Sequence, residues 1–300
     1  RRSSHLVKEG FRGKIYCTPA TADLARLVLE DSAWIQEEDA ESKRNRHTKQ
    51  GRSGAYPEAP LYTVQDAQNC FELFTPVEYE QCVALGEKIQ ACFHNAGHVL
   101  GSSIIQIKAR ENRTETSILF TGDIGRSNVP IINDADVFDK ADYILVESTY
   151  GNKTHAPVGD IRESIGDVVR CALEAGGNIV VPSFALERAQ ELLYYLNQLR
   201  LDQAIPYLQV FLDSPMASRI TAVFKKYSQL FDQETTDLVN SGVSPFEEWP
   251  GLRIVGSRQE SIEINDIHKE ALIIASSGMC TGGDRKSQRL NSSHVSPSRM

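Results

Sequence analysis

Short apolar runs alternate with helix-like stretches along most of the chain. The run GKIYC at residues 13–17 predicts a strand, and Thr18 then suits the N-cap of a helix with Pro19 in its first position. Apolar residues recur after Pro19 at the spacing of an amphipathic helix. This segment is therefore predicted to be a strand that leads directly into a helix.

The middle of the chain carries three strand-like segments. Alternating apolar positions at 102–109 and an apolar ending at 117–123 predict a hairpin that turns near Asn112. The continuous apolar run YILVEST at 143–149 is typical of a strand buried on both faces. Residues 37–60 interrupt the pattern with charged residues and glycine, which predicts a helix end followed by a mobile, solvated surface loop.

From residue 160 onward the pattern becomes regular. A helix is predicted over 161–175, followed by the strand NIVVP and by a second helix that begins at Ser183. The strand YLQVFLD leads into a helix with Ser214 as N-cap, and LRIVGS and ALIIASSGM are two further strands. Repeated strand-then-helix units predict an α/β layered domain with parallel strands.

Composition restricts the class of protein. The 300 residues are 41% hydrophobic and 24% charged, which suffices for one large core or two ordinary ones. A net charge of −8 provides no general attraction to nucleic acid, so such binding would need a local basic groove. Six cysteines without a compact pattern predict reduced thiols and a cytoplasmic protein. No apolar run approaches the roughly 18 residues that span a bilayer, so membrane insertion is not expected.

Three polar side chains stand at predicted strand ends. His98 lies in AGHVLG, Asp123 lies in TGDIGR, and Glu147 ends the third strand. Imidazole nitrogen and carboxylate oxygen are standard zinc ligands, and flanking glycines let backbone pass close to an ion. The alternative is a satisfied core histidine and a turn aspartate. His94 is likewise either a further ligand or a structural, solvent-facing residue.

The second half of the chain offers weaker candidates for phosphate contact. They lie at strand ends, where backbone N–H groups can hold an anion, and comprise Asp213, Ser214, Ser276, Ser277 and Gly278. Helix capping alone also accounts for Ser214. The sequence does not decide whether Arg188 reaches a phosphate or a nearby carboxylate.

The ordered motifs resemble the β-CASP branch of the metallo-β-lactamase-fold nucleases. They are AGHVLGS, LFTGDIGR, LVESTYGN, GGNIVVPSFALERAQELLYYL, FLDSPMA and IIASSGMCTGG. The resemblance implies a partial metallo-β-lactamase αββα sandwich with an inserted α/β β-CASP domain. It also implies that His98 is a zinc ligand, that Asp123 bridges two Zn²⁺ ions, and that Glu147 belongs to the catalytic site through contact with a metal-ligating histidine. The implied reaction is hydrolysis of single-stranded RNA by a metal-bound hydroxide.

The ends of the chain depart from that family pattern. The family's H-x-H-x-D-H motif does not precede Leu6, and the later family histidines do not follow Gly283. We therefore expect foreign residues at 1–5, a partial metallo-β-lactamase domain at 6–159, a partial β-CASP domain at 160–283 and a foreign or disordered tail at 284–300. With two zinc ligands, the chain as written is expected to bind zinc weakly and to have little nuclease activity.

The sequence leaves other functions open. A small-molecule hydrolase such as a thioesterase would lack the region 160–283. The resemblance also allows a non-catalytic β-CASP scaffold subunit of an RNA-processing complex, a DNA-acting nuclease and a homodimer. The closeness of GGNIVVPSFALERAQELLYYL and SSGMCTGG to RNA-acting members favours RNA.

Overall fold

The computed structural model describes residues 2–51, 58–112, 114–154, 159–247 and 249–276. The chain divides into two compact units. Unit 1 contains residues 1–154 and 226–236, and unit 2 contains residues 155–225 and 237–300. Each unit combines helices with β-sheet, so the α/β class predicted from the sequence is confirmed.

Unit 1 contains a parallel strand pair and a larger mixed sheet. Its elements are α1 (Arg2–Lys8), β1 (Ile15–Cys17), α2 (Pro19–Lys49), α3 (Val64–Phe71), β2 (Phe74–Pro76), β3 (Cys82–Ala84), β4 (Ile89–Asn95), β5 (Ser103–Glu111), β6 (Thr114–Phe120) and β7 (Tyr143–Leu145). Strand β1 pairs with β2, and the other five strands form a sheet in the order β3-β4-β5-β6-β7. This sheet carries the candidate site at the ends of its strands.

The predicted hairpin is present as β5 and β6. The strands are antiparallel, with Ile107 opposite Ile118 and Glu111 opposite Thr114. Asn112 lies in the turn with φ of +55°, a left-handed conformation that asparagine tolerates better than most residues. The polar turn that interrupts the two apolar runs therefore identified the hairpin correctly.

The prediction that residues 143–149 form a strand buried on both faces was wrong. Strand β7 spans three residues and pairs with β6 alone among the described strands. Tyr143, Ile144 and Leu145 are 62%, 60% and 52% exposed. An apolar run reports the hydrophobicity of a segment, but its burial depends on whether other elements cover it.

The prediction for residues 37–60, a helix end followed by a loop, placed the end of the helix too early, because residues 37–49, about half of the segment, are helical. Helix α2 continues to Lys49 and has 31 residues. The segment is rich in glutamate, alanine, lysine and arginine, which are strong helix formers. The many charged residues correctly indicated that the segment is exposed to solvent. Exposure alone does not distinguish a loop from a solvated helix, so the charge pattern did not show where the helix ends.

The expectation that all six cysteines are reduced is contradicted at one pair. Cys82 on β3 and Cys92 on β4 face each other in the antiparallel ladder and form a disulfide bond. Cys17, Cys70 and Cys171 are free thiols. The short loop between the two strands makes the pair neighbours in space, which a search for compact cysteine motifs does not reveal.

Unit 2 is built on a parallel sheet. The elements of the second half of the chain are α4 (Ile161–Glu174), β8 (Ile179–Pro182), α5 (Arg188–Leu201), β9 (Gln209–Asp213), α6 (Pro215–Lys226), α7 (Gln233–Asn240), β10 (Leu252–Ile254), α8 (Arg258–Glu263) and β11 (Ala271–Ala275). The strand order is β10-β9-β11-β8, and every pairing is parallel. The repeated strand-then-helix pattern therefore predicted the pairing correctly.

The core of unit 2 lies between this sheet and its helices. It includes Leu193 and Leu196 from α5 and Leu212 from β9, all at most 2% exposed. Helix α5 begins at Arg188, five residues later than predicted, because residues 185–187 form a turn and Glu187 has φ of +67°. In the part of the chain that the structure describes, no helix is long and apolar enough to cross a membrane.

Candidate metal centre

Two glycine-flanked loops at the end of the five-stranded sheet form the candidate site. The histidine loop, residues 96–101, follows β4, and the aspartate loop, residues 121–126, follows β6. Although β5 separates β4 from β6 in the sheet, the two loops meet directly. Gly125 N donates a hydrogen bond of 2.9 Å to Ala96 O. The two sequence motifs are therefore adjacent in space.

Glycine is required where these loops touch. A Cβ atom at Gly125 would lie 1.6 Å from Gly97 O and 2.8 Å from His98 N. Gly97 has φ of +59°, and a Cβ there would lie 2.5 Å from Ala135 N. The contacted atoms belong to the backbone, so they cannot rotate away as a side chain would. The glycines of both motifs thus serve close backbone packing.

The N-terminus of α2 anchors the end of the histidine loop. The hydroxyls of Thr18 and Thr21 each donate a hydrogen bond of 2.7 Å to Gly101 O. Thr18 also accepts a hydrogen bond of 3.2 Å from Thr21 N, which confirms it as the N-cap. Its capping role was readable from the sequence, but its second role was not, since Gly101 lies 83 residues away.

His98 and Asp123 converge at this junction. His98 Nε2 lies 3.9 Å from Asp123 Oδ2, and the two side chains are 44% and 72% exposed. A metal ion with bonds of about 2.0–2.2 Å in tetrahedral geometry holds two ligand atoms roughly 3.4 Å apart. The pair therefore fits two positions of a metal site with little adjustment. Ser102 Oγ accepts hydrogen bonds from His98 N and Val99 N, which orients the loop.

Glu147 follows β7 and holds the aspartate loop. Its Oε1 accepts a hydrogen bond of 2.8 Å from Ile124 N, and its Oε2 accepts one of 2.7 Å from Thr149 Oγ1. These two hydrogen bonds, that from Thr149 first, hold the pKa of Glu147 below its usual range, and His98 lowers it further. Glu147 is thus an ionised carboxylate that fixes the backbone next to Asp123.

Removal of the Glu147 carboxylate is expected to weaken metal binding. We expect about tenfold lower affinity for a divalent metal in Glu147→Gln and about 10²-fold lower affinity in Glu147→Ala, the range found for groups that position ligands. Glutamine retains an oxygen that can accept from Ile124 N, whereas alanine leaves that N–H unpaired. Metal titration by calorimetry measures both effects. Equal affinities for both variants and the wild type would show that Glu147 does not position the aspartate loop.

A second group of possible ligands lies in unit 1. It consists of Glu80, His94 and Asp136, whose ligand atoms all lie within 4.8 Å of one another. His94 is therefore neither isolated nor fully solvent-facing, since its side chain is 15% exposed and its Nδ1 lies 2.9 Å from Glu80 Oε1. Sequence reasoning missed both acids, because neither stands in a motif or near His94 in the chain.

The weaker candidates of the second half lie at the C-terminal edge of the parallel sheet of unit 2. Ser214 Oγ and Ser276 Oγ are 2.5 Å apart, at the ends of the adjacent strands β9 and β11. Ser214 Oγ also accepts a hydrogen bond of 3.1 Å from Ala217 N, so the predicted cap is present. Asp213 accepts a hydrogen bond of 3.0 Å from Ser261 Oγ.

The remaining candidates divide between described and undescribed residues. Ser277 and Gly278 lie outside the described residues. Arg188 pairs with Glu191 Oε2 at 2.6 Å on the first turn of α5. The structure thus provides the nearby carboxylate that the sequence left as one alternative for Arg188.

Comparison with known protein families gives two matches. A metallo-β-lactamase superfamily domain matches residues 4–149, and a β-CASP domain matches residues 189–292. Membership of the metallo-β-lactamase superfamily implies binding of divalent metal. The matched regions contain both loops of the candidate metal centre and most of the parallel sheet.

Individual relatives cover nearly the whole chain. A ribonuclease of Thermus thermophilus is 29% identical over 282 residues, which is 94% of this chain and 59% of the relative. The transcription termination factor FttA of Methanocaldococcus jannaschii is 30% identical over 283 residues, which is 93% of this chain and 41% of the relative. An endoribonuclease of Yarrowia lipolytica is 29% identical over 76% of this chain and 25% of the relative. The chain therefore spans between a quarter and three fifths of the length of these relatives.

Proposed function

Because the chain belongs to the β-CASP family of metallo-β-lactamase-fold proteins, we propose that it acts as part of a metal-dependent ribonuclease. The observation that carries the proposal is the convergence of His98 and Asp123 at the junction of two loops that are packed backbone against backbone. Relatives that are named ribonuclease and endoribonuclease support RNA as the substrate.

We infer that the ion is zinc and that His98 and Asp123 are two of its ligands. Their nitrogen and oxygen donors suit Zn²⁺, whose catalytic sites take three protein ligands for each ion. A zinc ion held there would act as a Lewis acid toward the charge that develops on the phosphodiester. Further donors are needed for a complete centre, which in the family holds two ions.

The chain's own residues perform the positioning. Glu147 keeps the aspartate loop in place through Ile124 N, and the hydroxyls of Thr18 and Thr21 keep the histidine loop in place through Gly101 O. The two ligand side chains are consequently held on backbone that has little freedom to move. Such preorganisation would keep the ligand atoms of His98 and Asp123 in place when an ion is bound, without a conformational cost at each turnover.

We propose that Asp213, Ser214 and Ser276 contact the RNA at the edge of the parallel sheet, together with Ser277 and Gly278. Ligands of open α/β sheets bind beyond the C-terminal ends of the strands, where the first three of these residues lie. The net charge of −8 offers no general attraction to RNA, so specific contacts of this kind would have to supply the binding energy.

Cleavage of nucleic acid by the product of the complete open reading frame that contains this sequence tests the proposal. Fluorescently labelled single-stranded RNA and DNA of the same sequence would be incubated with the purified protein, with added Zn²⁺ and separately with a chelator. We expect cleavage of RNA that stops on chelation and returns when zinc is restored. If the protein cleaves DNA but not RNA, and does so only with metal, the substrate is DNA and not RNA. Binding of RNA without cleavage would instead support a non-catalytic subunit.

A further inference from the structure

Glu80, His94 and Asp136 bring three potential ligand atoms together from separate parts of unit 1. Glu80 precedes β3, His94 lies near the end of β4, and Asp136 lies between β6 and β7. Their ligand atoms lie within 4.8 Å of one another, which a small rearrangement of side chains can reduce to the spacing around one ion. None of the three residues belongs to the His98 and Asp123 pair. The cluster is therefore a separate set of donors.

The backbone beneath the cluster is held by several hydrogen bonds. Glu80 N donates to Phe93 O at 2.7 Å, with Glu80 at φ of +61°. Asp136 N donates to Asn95 O at 2.9 Å, and Asn95 N donates back to Asp136 Oδ2 at 2.7 Å. Both acids are thus attached to the backbone on either side of His94. The backbone therefore places both acids next to His94, and the carboxylate of Asp136 is held there by Asn95 N.

The disulfide adds a covalent restraint close to the cluster. Cys82 lies two residues after Glu80, and its partner Cys92 lies two residues before His94. The bond therefore limits how far the segment that carries Glu80 can move away from β4. Restraint of this kind reduces the entropy that is lost when ligands are gathered around an ion.

The ring of His94 carries an unsatisfied nitrogen. Its Nε2 is buried and has no hydrogen-bond partner among the described residues, while its Nδ1 faces Glu80 Oε1 at 2.9 Å. Phe138 packs edge-on against the ring at 4.9 Å and offers no polar group. If Nδ1 carries the proton, it bonds to Glu80. If Nε2 carries it, the lone pair of Nδ1 points at a carboxylate oxygen, an arrangement that a cation between them would stabilise.

A groove gives an ion access to the cluster. Glu80 and Asp136 line a depression of ≈ 390 Å³ in unit 1, together with Tyr79, Asn95 and Ile132. Glu80 and Asp136 are exposed at the groove, whereas His94 is largely covered. The two carboxylates therefore reach solvent, from which an ion would enter.

We propose that Glu80, His94 and Asp136 bind one divalent cation of the zinc type, separate from the His98 and Asp123 centre. One imidazole nitrogen and two carboxylate oxygens form a three-ligand set that zinc accepts, with a fourth position open to water. The bound ion would connect the segments that carry Glu80 and Asp136 to the end of β4. Since the histidine loop begins one residue after β4, the ion would stabilise the base of that loop.

Zinc titration in a background without the first centre tests this proposal. The 300-residue chain with His98→Ala and Asp123→Asn would be titrated with ZnCl₂ by calorimetry. We expect binding of about one equivalent, in keeping with three protein ligands for one ion. Glu80→Gln and Asp136→Asn should each lower the affinity by more than about tenfold, because removal of a ligand exceeds the effect of removing a group that supports one. Zinc should also raise the melting temperature of the background protein.

Glu78→Gln provides a matched control in the same segment. Glu78 is exposed and lies outside the cluster, so its substitution should leave zinc affinity unchanged. Melting curves in chelator would verify that each variant is folded. The proposal is overturned if the background protein binds no zinc. It is also overturned if binding survives both Glu80→Gln and Asp136→Asn, as adventitious binding to the exposed Cys171 thiol would.

Discussion

Asp123→Asn is expected to lower the rate of RNA cleavage by about 10³-fold, because metal ions supply several kcal/mol of transition-state stabilisation and each 1.36 kcal/mol corresponds to tenfold in rate. Asparagine preserves the shape of the side chain but replaces a charged carboxylate oxygen with a neutral amide oxygen. The backbone contact between the two loops does not involve the Asp123 side chain, so the fold should persist.

Single-turnover cleavage of labelled RNA measures this loss of rate. The enzyme is the protein encoded by the complete open reading frame that contains this sequence. The affinity for RNA is expected to remain close to that of the wild type, while the affinity for zinc falls. Asp139→Asn is the matched control, since Asp139 is exposed and lies outside both ligand groups. Cleavage by Asp123→Asn at the wild-type rate would remove Asp123 from the metal centre.

Gly125→Ala is expected to lower cleavage by about 10²-fold although both ligands remain, because a misplacement of about 1 Å at a reacting group costs that much. The added Cβ would lie 1.6 Å from Gly97 O, so the histidine and aspartate loops must separate. Separation breaks the hydrogen bond from Gly125 N to Ala96 O and increases the distance between His98 and Asp123. Zinc affinity and the melting temperature of unit 1 should fall as well.

Gly86→Ala is the control that separates the effect of the contact between Gly125 and Gly97 from a general cost of replacing glycine. Gly86 lies between β3 and β4, has no heavy atom within 4 Å of an added Cβ and is not in the left-handed region. Its substitution should leave cleavage, zinc affinity and melting temperature unchanged. If Gly125→Ala behaves like Gly86→Ala, the close packing of the loops does not control the geometry of the site.

Local patterns predicted most of the elements correctly. The capping residues Thr18 and Ser214, the hairpin turn at Asn112 and the alternation of strands and helices from residue 160 onward were all readable from the sequence. Each depends on interactions within a few residues, such as a side chain that accepts from an N–H three positions later. The residues that make such interactions are close together in the sequence, so a local pattern is enough to predict them.

Two failures arose where a property depended on distant segments, whereas the helix at residues 37–49 could have been predicted from the strong helix formers in that segment. Burial of Tyr143–Leu145 depends on what covers β7. The bond between Cys82 and Cys92 follows from the pairing of β3 with β4. Hydrophobicity and charge of a segment do not specify its neighbours, so the exposure of β7 and the disulfide bond could not be predicted from the sequence.

The sequence by itself determined the α/β class, the main strands and helices and, through ordered motifs, the family and the candidates His98, Asp123 and Glu147. Only the tertiary structure decided which atoms meet: Gly125 against Gly97, Thr18 against Gly101, and Glu80 and Asp136 against His94. The physical reason is the separation along the chain between the residues that interact. Backbone propensity and capping act over one or two turns of chain, whereas a ligand set depends on how folded segments pack against one another.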